Sequence, residues 1–213
     1  MSDRPARTPI DAAPFTIAMP QSPVSWVELF GNSHPVELEV GSGKGLFLLN
    51  EARANPDRNY LGIEMAKKYA YQGAKRLAKA NLTNTRMLPD DARKFLHDFV
   101  PRASLAAVHI YFPDPWWKTR HRKRRVFCES FVSDVSNSLP PGGEFHIATD
   151  VDEYFGVMME LMAARHDFIA MPRPEPKAPE HDLDYLTNFE RKYRIEGRQI
   201  YRAHYQRGPD AAV

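Results

Sequence analysis

An acidic residue fixed between two prolines is the first feature of this sequence with the potential for chemistry. Asp114 lies in the run Pro113-Asp114-Pro115, directly after the apolar segment Leu105–Phe112. Two tryptophans follow, and six of the eight residues in Lys118–Arg125 are Lys or Arg. Open α/β sheets bind ligands beyond the carboxyl ends of their strands. The pattern therefore predicts a site at Asp114 with positive charge beside it.

A glycine-rich turn is the second such feature, in the pattern Glu39-x-Gly41-x-Gly43-x-Gly45. Glycines let a backbone pass close to a ligand because no side chain blocks the approach. A dinucleotide site is the obvious competitor, but its G-x-G-x-x-G fingerprint places the third glycine one position later. A tight turn that binds nothing is the other interpretation of this motif alone.

Two further acids follow predicted strands. Glu64 ends the second strand, where a carboxylate can accept hydrogen bonds from both hydroxyls of a ribose. Asp91 comes just after the third strand and could accept a hydrogen bond from an adenine amino group. Either acid alone is typical of a solvated loop. Together with Glu39 they follow three consecutive strands at one sheet edge, which favours a nucleoside-containing ligand.

Periodicity and breaking residues predict the elements that position these side chains. The predicted strands are Val36–Val40, Asn59–Glu64, Thr85–Leu88, Leu105–Phe112, Glu144–Thr149, Phe168–Met171 and Gln199–Tyr205. The predicted helices are Ser25–Phe30, Leu46–Ala54, Lys67–Asn81, Arg93–Val100, Phe127–Leu139, Val151–Arg165 and Leu186–Arg194. Repeated strand–helix alternation predicts an α/β fold with a mainly parallel sheet and helices on both of its faces.

Composition limits the class of protein. The 213 residues are 43% hydrophobic and carry a net charge of +2, so the overall charge does not indicate a nucleic-acid partner. A single cysteine, Cys128, permits no intramolecular disulfide, and no signal peptide or membrane-spanning run is visible. We expect a cytoplasmic protein. Residues 1–20 have no periodicity and are predicted to form a mobile N-terminal arm, followed by a single domain over 21–213.

The glycine turn and the acids at the strand ends resemble class I S-adenosylmethionine-dependent methyltransferases. More specific is the segment Phe112-Pro113-Asp114-Pro115-Trp116, with Lys118, Arg120-His121 and Lys123-Arg124-Arg125 after it. This segment resembles the signature of the tRNA (guanine-N7-)-methyltransferase family. Ala148-Thr149-Asp150 and Thr187-Asn188-Phe189-Glu190 are also similar to that family. The resemblance runs from about Glu37 to Tyr205.

The resemblance implies a Rossmann-like class I methyltransferase fold, with a seven-stranded, mainly parallel sheet and an antiparallel C-terminal strand. It implies methyl transfer from S-adenosylmethionine to N7 of a guanosine in the tRNA variable loop, with Asp114 as the catalytic residue. The cofactor-binding residues it implies are Glu39, Gly41, Glu64, Asp91 and Asp114. The substrate-binding residues are Lys118, Asp150, Thr187, Asn188, Phe189 and Glu190. The residues that contact RNA phosphates are Arg120, His121, Arg122, Lys123, Arg124 and Arg125.

Elementary chemistry is compatible with this activity. N7 of guanine carries an exposed lone pair, so no proton need be removed before it attacks a methyl group, and positioning can supply much of the acceleration. Asp114 is therefore expected to orient and to act through its charge. We expect no metal, because no His/Cys cluster has ligand spacing, and His109 and His146 are predicted to be residues of the sheet face. The expected assembly is a monomer or a homodimer.

Three alternatives remain at this stage. A methyltransferase acting on an exocyclic amine would typically show Asn-Pro-Pro-Tyr after the fourth strand, where this chain has Pro113-Asp114-Pro115-Trp116. A non-catalytic RNA-binding protein could retain the fold, although the glycines and Glu64 are intact. A dehydrogenase disagrees with the glycine spacing, and no hydride-transfer site is evident.

Overall fold

Strands and helices alternate along the chain in this computed structural model, which describes residues 10–116, 118–172 and 187–209. Their order and bounds are α1 (Trp26–Phe30), β1 (Val36–Val40), α2 (Leu46–Ala54), β2 (Asn59–Ile63), α3 (Lys67–Lys79), β3 (Thr85–Leu88), α4 (Ala92–Phe99), β4 (Ala107–Tyr111), α5 (Glu129–Ser138), β5 (Glu144–Thr149), α6 (Asp152–Ala163), β6 (Phe168–Met171), α7 (Asn188–Ile195) and β7 (Tyr201–Arg207). Short 3₁₀ helices cover Ala13–Phe15 and Thr119–Arg124.

The seven strands form one sheet in the order β3-β2-β1-β4-β5-β7-β6. Strands β1 to β5 are parallel, whereas β7 runs antiparallel to both β5 and β6. The mainly parallel sheet and the antiparallel C-terminal strand are thus confirmed. The strand order reverses between β1 and β4, and ligands of open α/β sheets bind at such a reversal. The loops that follow β1 and β4 contain the glycine turn and Asp114.

Alternation along the strands buries apolar side chains on both faces of the sheet. On one face, Val36, Leu38 and Val40 of β1 join a cluster with residues of α4, α5 and α6. On the other face, α2 and α3 pack with Tyr60 and Tyr111 in a second cluster. The expected helices on both faces are therefore confirmed. Glu37 and Glu39 of β1 point to the second face, where they are buried.

Local backbone geometry makes two elements shorter than predicted. Strand β4 begins at Ala107 because the amide of Leu105 donates to the carbonyl of Ser138, and it ends at Tyr111 because Phe112 has a φ of 53°. Helix α3 ends at Lys79, two residues before Asn81, whose φ is 52°. Left-handed backbone of this kind does not continue a strand or a helix. None of the helices in the described ranges is long and apolar enough to cross a membrane.

Part of the segment predicted as the N-terminal arm packs on the sheet. Phe15 is buried in the second apolar cluster, and the amide of Ile17 donates to the carbonyl of Met87 in β3 at 2.9 Å. Residues 13–17 thus lie against β3, the outermost strand of the sheet. Residues 1–9 lie outside the described part of the chain. The division into an arm and a single domain stays a prediction.

Candidate functional site

The glycine turn after β1 has the backbone geometry that its residue types predicted. Gly41, Gly43 and Gly45 have φ values of 79°, 52° and 66°, a region that side chains disfavour. A Cβ atom added at Gly41 or Gly43 would meet no atom within 4 Å. The turn is therefore left-handed, and open space lies above its first two glycines. A ligand can approach the backbone there.

Two of the predicted cofactor-binding acids form hydrogen bonds with the backbone. The carboxylate of Glu64 accepts from the amides of Gly43, at 2.9 Å, and Ala66, at 2.8 Å, which fixes the glycine turn against the loop after β2. Asp91 caps α4 by accepting from the amide of Arg93 at 2.9 Å. Each carboxylate has further lone pairs, so these bonds leave capacity for a ligand.

Glu39 differs from these acids because it is buried without compensation. Its side chain is 3% exposed, and its Oε2 atom has no hydrogen-bond partner among the described residues. Burial, followed by the negative charges of Glu64 and Glu51, holds the pKa of Glu39 well above its ordinary value. A buried carboxyl oxygen of this kind is costly unless a donor or a cation satisfies it. S-adenosylmethionine carries an ammonium group and two ribose hydroxyls, so its donors fit this environment.

The loop that contains Asp114 is strained at both ends and held by neighbouring elements. Phe112 and Trp116 have φ values of 53° and 43°, which are unfavourable for bulky residues. The amide of Phe112 donates to the carbonyl of Ala148 at 2.7 Å, and Nε of Arg125 donates to the carbonyl of Pro115 at 2.7 Å. Backbone strain that the surroundings maintain is a feature of functional sites.

Asp114 itself is exposed and makes no hydrogen bond or ion pair within the described part of the chain. Its charge nevertheless reaches two tyrosines. The pKa of Tyr193 is raised by burial first and then by Asp150, with Asp114 acting in the same direction. The pKa of Tyr154 is raised to about 12, mainly by burial, and Asp114 also contributes. The loop, α6 and α7 therefore converge around this carboxylate.

Aromatic side chains connect the Asp114 loop to α7. The ring of Phe112 lies 5.4 Å from Tyr193 and 6.3 Å from Phe189, measured between centroids. Phe189 is 49% exposed and stacks on Tyr193 at 6.1 Å. The guanidinium of Arg198 covers the Tyr193 ring at 4.2 Å, and Arg198 also forms an ion pair with Asp150. These five side chains form an aromatic and charged surface beside Asp114.

Sequence reasoning missed two members of this surface. Tyr193 lies four residues after Phe189, a spacing that places both on one face of a helix, so a helical pattern could have indicated it. Arg198 carried no signal, because its role depends on the approach of the loop after α7 to the end of β5.

The remaining predicted substrate residues contribute to the position of α7. The hydroxyl of Thr187 caps this helix by accepting from the amide of Glu190 at 3.0 Å. Glu190 is 2% exposed and pairs with Arg194 at 2.9 Å and Arg202 at 2.7 Å. The side chain of Asn188 lies outside the described part. Both carboxylates predicted to contact substrate, Asp150 and Glu190, are thus held by arginines.

The basic segment divides into exposed and packed residues. Lys118, Arg120 and Lys123 are exposed, and none of them forms an ion pair within the described residues. Arg124 is exposed as well but lies over the Trp116 ring at 5.1 Å, and His121 meets the same ring edge-on at 5.6 Å. Arg125 covers the Tyr154 ring at 5.1 Å. The side chain of Arg122 is not among those described, and Trp117 lies outside the described residues.

Comparisons of sequence with known proteins identify relatives over most of the chain. A family model described as "Putative methyltransferase" matches residues 33–203. A tRNA (guanine-N(7)-)-methyltransferase of Rhodopirellula baltica is 45% identical over 185 residues, which cover 84% of this chain and 68% of the relative. A protein of the same name from Geobacter metallireducens is 37% identical over 192 residues, covering 90% and 91% of the two chains.

Solved structures agree on the fold. The 16S rRNA methyltransferase KamB superposes with a TM-score of 0.60 at 16% identity, covering 85% of this chain and 92% of the other. The aminoglycoside resistance methyltransferase NpmB1 gives a TM-score of 0.59 at 17% identity, covering 85% and 91%. At these identities the likeness concerns the architecture alone.

Proposed function

Since the chain belongs to the tRNA (guanine-N(7)-)-methyltransferase family, we propose that it methylates N7 of a guanosine in the tRNA variable loop, with Asp114 as the residue on which the reaction most depends. The observation that carries this proposal is the convergence at one sheet edge of the open glycine turn, the unpaired Glu39 and the strained Asp114 loop. The alternatives of a dehydrogenase and of methylation at an exocyclic amine receive no support from the relatives.

The cofactor is S-adenosylmethionine, which supplies a sulfonium methyl group when bound. Glu39 would satisfy a donor or the ammonium group of the cofactor, and Gly41 would allow its close approach. Glu64 and Asp91 follow neighbouring strands and retain acceptor capacity for hydroxyl and amino groups. Asp114 would lie between this cofactor and the target base, since its loop adjoins both the glycine turn and the α7 surface.

Asp114 acts through charge and position in this proposal. The lone pair of N7 forms a bond to the methyl carbon as the carbon–sulfur bond breaks, and the positive charge passes from sulfur to the guanine ring. No proton is transferred in that step. A fixed carboxylate beside the path stabilises the charge as it moves, and a preorganised charge costs no reorganisation at the moment of reaction.

The α7 surface is proposed to hold the target guanosine. Phe112, Phe189 and Tyr193 offer aromatic faces on which an unstacked base can lie. Guanine presents donors at N1 and N2, and a carboxylate is the complementary acceptor. Asp150 and Glu190 are the two candidates, with Lys118, Thr187 and Asn188 completing the predicted substrate contacts. The arginines that hold both acids would keep them oriented.

A change in the RNA tests which nucleotide is the target. In unmodified tRNA transcripts, replacing the target guanosine of the variable loop by adenosine should abolish methyl uptake. Adenine lacks the N1 and N2 donors of guanine that the carboxylate of the site would accept. Transcripts with the same replacement in the anticodon loop serve as controls and should be methylated normally. Unchanged uptake by the variable-loop transcripts would place the target elsewhere in the tRNA.

The exposed basic residues give a second prediction. We expect the triple change Lys118→Gln, Arg120→Gln and Lys123→Gln to weaken tRNA binding and to flatten its salt dependence by roughly 0.7–0.9 in the log–log slope for each lost phosphate contact. Equilibrium binding across a salt series measures this slope. Arg102→Gln, on the loop that precedes β4 at the opposite sheet edge, is the matched control. An unaltered slope in the triple variant would exclude these side chains from the RNA surface.

The setting of the enzyme remains part of the proposal. A tRNA substrate is consistent with a cytoplasmic location. One chain carries all the proposed site residues, so the enzyme can act as a monomer or as a homodimer. His121, Arg122, Arg124 and Arg125 are proposed to assist RNA binding. Within this group, Arg124 and Arg125 also hold Trp116 and the Asp114 loop.

A further inference from the structure

A cluster of metal-ligating side chains lies at the sheet edge opposite the candidate active site. Glu144 is the first residue of β5, and His146 follows it two positions later on the same face of the strand. His204 of β7 is the cross-strand neighbour of His146. One ligand atom from each residue lies within 4.8 Å of the others. These atoms are far along β5 from Asp150, which follows the last residue of that strand.

The distances suit one small cation. Oε2 of Glu144 lies 2.9 Å from Nε2 of His146 and 3.7 Å from Nε2 of His204. Ligands around a tetrahedral zinc ion, at about 2.0–2.1 Å from the metal, are roughly 3.3 Å apart. The two histidine rings are stacked 4.3 Å apart with planes 10° from parallel. Both rings must therefore turn about χ2 for their lone pairs to converge, a torsion whose energy wells are broad.

The hydrogen bonding of His204 is an independent indication of a ligand. Its Nε2 atom is buried and has no hydrogen-bond partner among the described residues. Oε2 of Glu144 lies 3.7 Å from this nitrogen, which is beyond hydrogen-bond distance. A buried polar atom without a partner is costly. A cation held between the imidazole nitrogen and the carboxylate would satisfy both groups.

In departure from the sequence-based expectation of no metal, we propose that Glu144, His146 and His204 form a zinc-binding site that ties β5 to β7. Two imidazole nitrogens with one carboxylate favour zinc over magnesium or calcium, which prefer oxygen ligands. Glu144 is 47% exposed in its side chain, so solvent can reach the site and supply the fourth ligand. The sheet would gain a link between its parallel part and its antiparallel strand, and the ion would stabilise the fold without taking part in methyl transfer.

Zinc titration of the full-length protein after treatment with a chelator tests this inference. We expect saturable binding of one equivalent by calorimetry and a rise in the melting temperature with zinc concentration. Both Glu144→Gln and His204→Ala should weaken zinc binding at least about tenfold, since outer-shell changes alone cost 10–100-fold. Glu144→Gln preserves the size of a half-exposed side chain, so it tests the site even if His204→Ala fails to fold.

His97→Ala is the matched control. His97 also contacts a carboxylate, that of Asp134 at 3.1 Å, but belongs to no three-residue cluster among the described residues. This variant should bind zinc as the unchanged protein does. Absence of saturable binding, or equal affinity in the Glu144→Gln and control variants, overturns the proposal. Methyl transfer to tRNA should persist in Glu144→Gln, so the outcome is separate from that of the proposed function.

Discussion

Replacing Asp114 by alanine is expected to lower kcat/KM for tRNA methylation by about 100-fold or more while the protein stays folded. The size follows from the loss of one preorganised charged group at a reacting centre, which typically costs 10²–10³-fold. The variant is expected to stay folded because Asp114 is exposed and its carboxylate makes no hydrogen bond within the described residues. Initial rates with labelled S-adenosylmethionine, together with thermal unfolding, measure both quantities.

Two controls make the Asp114 result specific. Asp57→Ala alters another exposed aspartate, in the loop before β2 at the opposite ends of the strands, and should leave the rate unchanged. Asp114→Asn retains the shape of the side chain but removes the charge, so it should remain nearly as defective as Asp114→Ala if charge is the main contribution. Near-normal turnover by Asp114→Ala would remove this residue from the mechanism.

Replacing Glu39 by glutamine should have opposite effects on cofactor binding and on the stability of the free protein. A hydrogen bond to a charged group contributes about 1.5–3 kcal/mol, so affinity for S-adenosylmethionine should fall roughly 10- to 150-fold. The cofactor-free protein should melt a few degrees higher, because the variant no longer buries an unpaired carboxylate. Calorimetric titration and thermal unfolding without cofactor measure the two effects.

The direction in which stability changes with pH tests whether Glu39 is buried without a partner. Its folded pKa is raised above the ordinary value of 4.5, so the folded state binds more protons than the unfolded state above that pH. Glu39 therefore does not lower the free energy of unfolding in strongly acidic solution, where it is protonated in both states. It lowers that free energy progressively as the pH rises from about 4.5 through the raised folded pKa. The gain from Glu39→Gln should be largest at neutral pH and vanish in acid. Tighter cofactor binding by the variant would contradict the assigned role.

Much of the architecture was predictable because each strand can be recognised from its apolar residues and from the breaking residues around it. The apolar run before Asp114 predicts a strand buried on both faces, which the structure shows over Ala107–Tyr111. The glycines at 41, 43 and 45 occur where the backbone is left-handed. The ends of elements were less predictable. Strand β4 ends at Tyr111 because Phe112 adopts left-handed backbone, which the propensity of phenylalanine does not indicate.

Within the candidate site, residue type predicted location better than it predicted partners. Glu39 lies near the end of β1 and Glu64 directly follows β2, as expected. However, Oε2 of Glu39 is unpaired in the interior, whereas Glu64 fixes a turn through two amides. Asp91 also serves as a helix cap, which its position before α4 allowed. The roles of Tyr193 and His204 were not predicted because each depends on contacts with residues that are distant in sequence.

Methyl transfer by this protein to N7 of a tRNA guanosine can be measured by nucleoside analysis. The protein would be incubated with a pool of unmodified tRNA transcripts and S-adenosylmethionine labelled in its methyl group, and the RNA would then be digested to nucleosides. The label should appear in 7-methylguanosine. Label in any other nucleoside, or no transfer by the folded protein, would contradict the proposed activity.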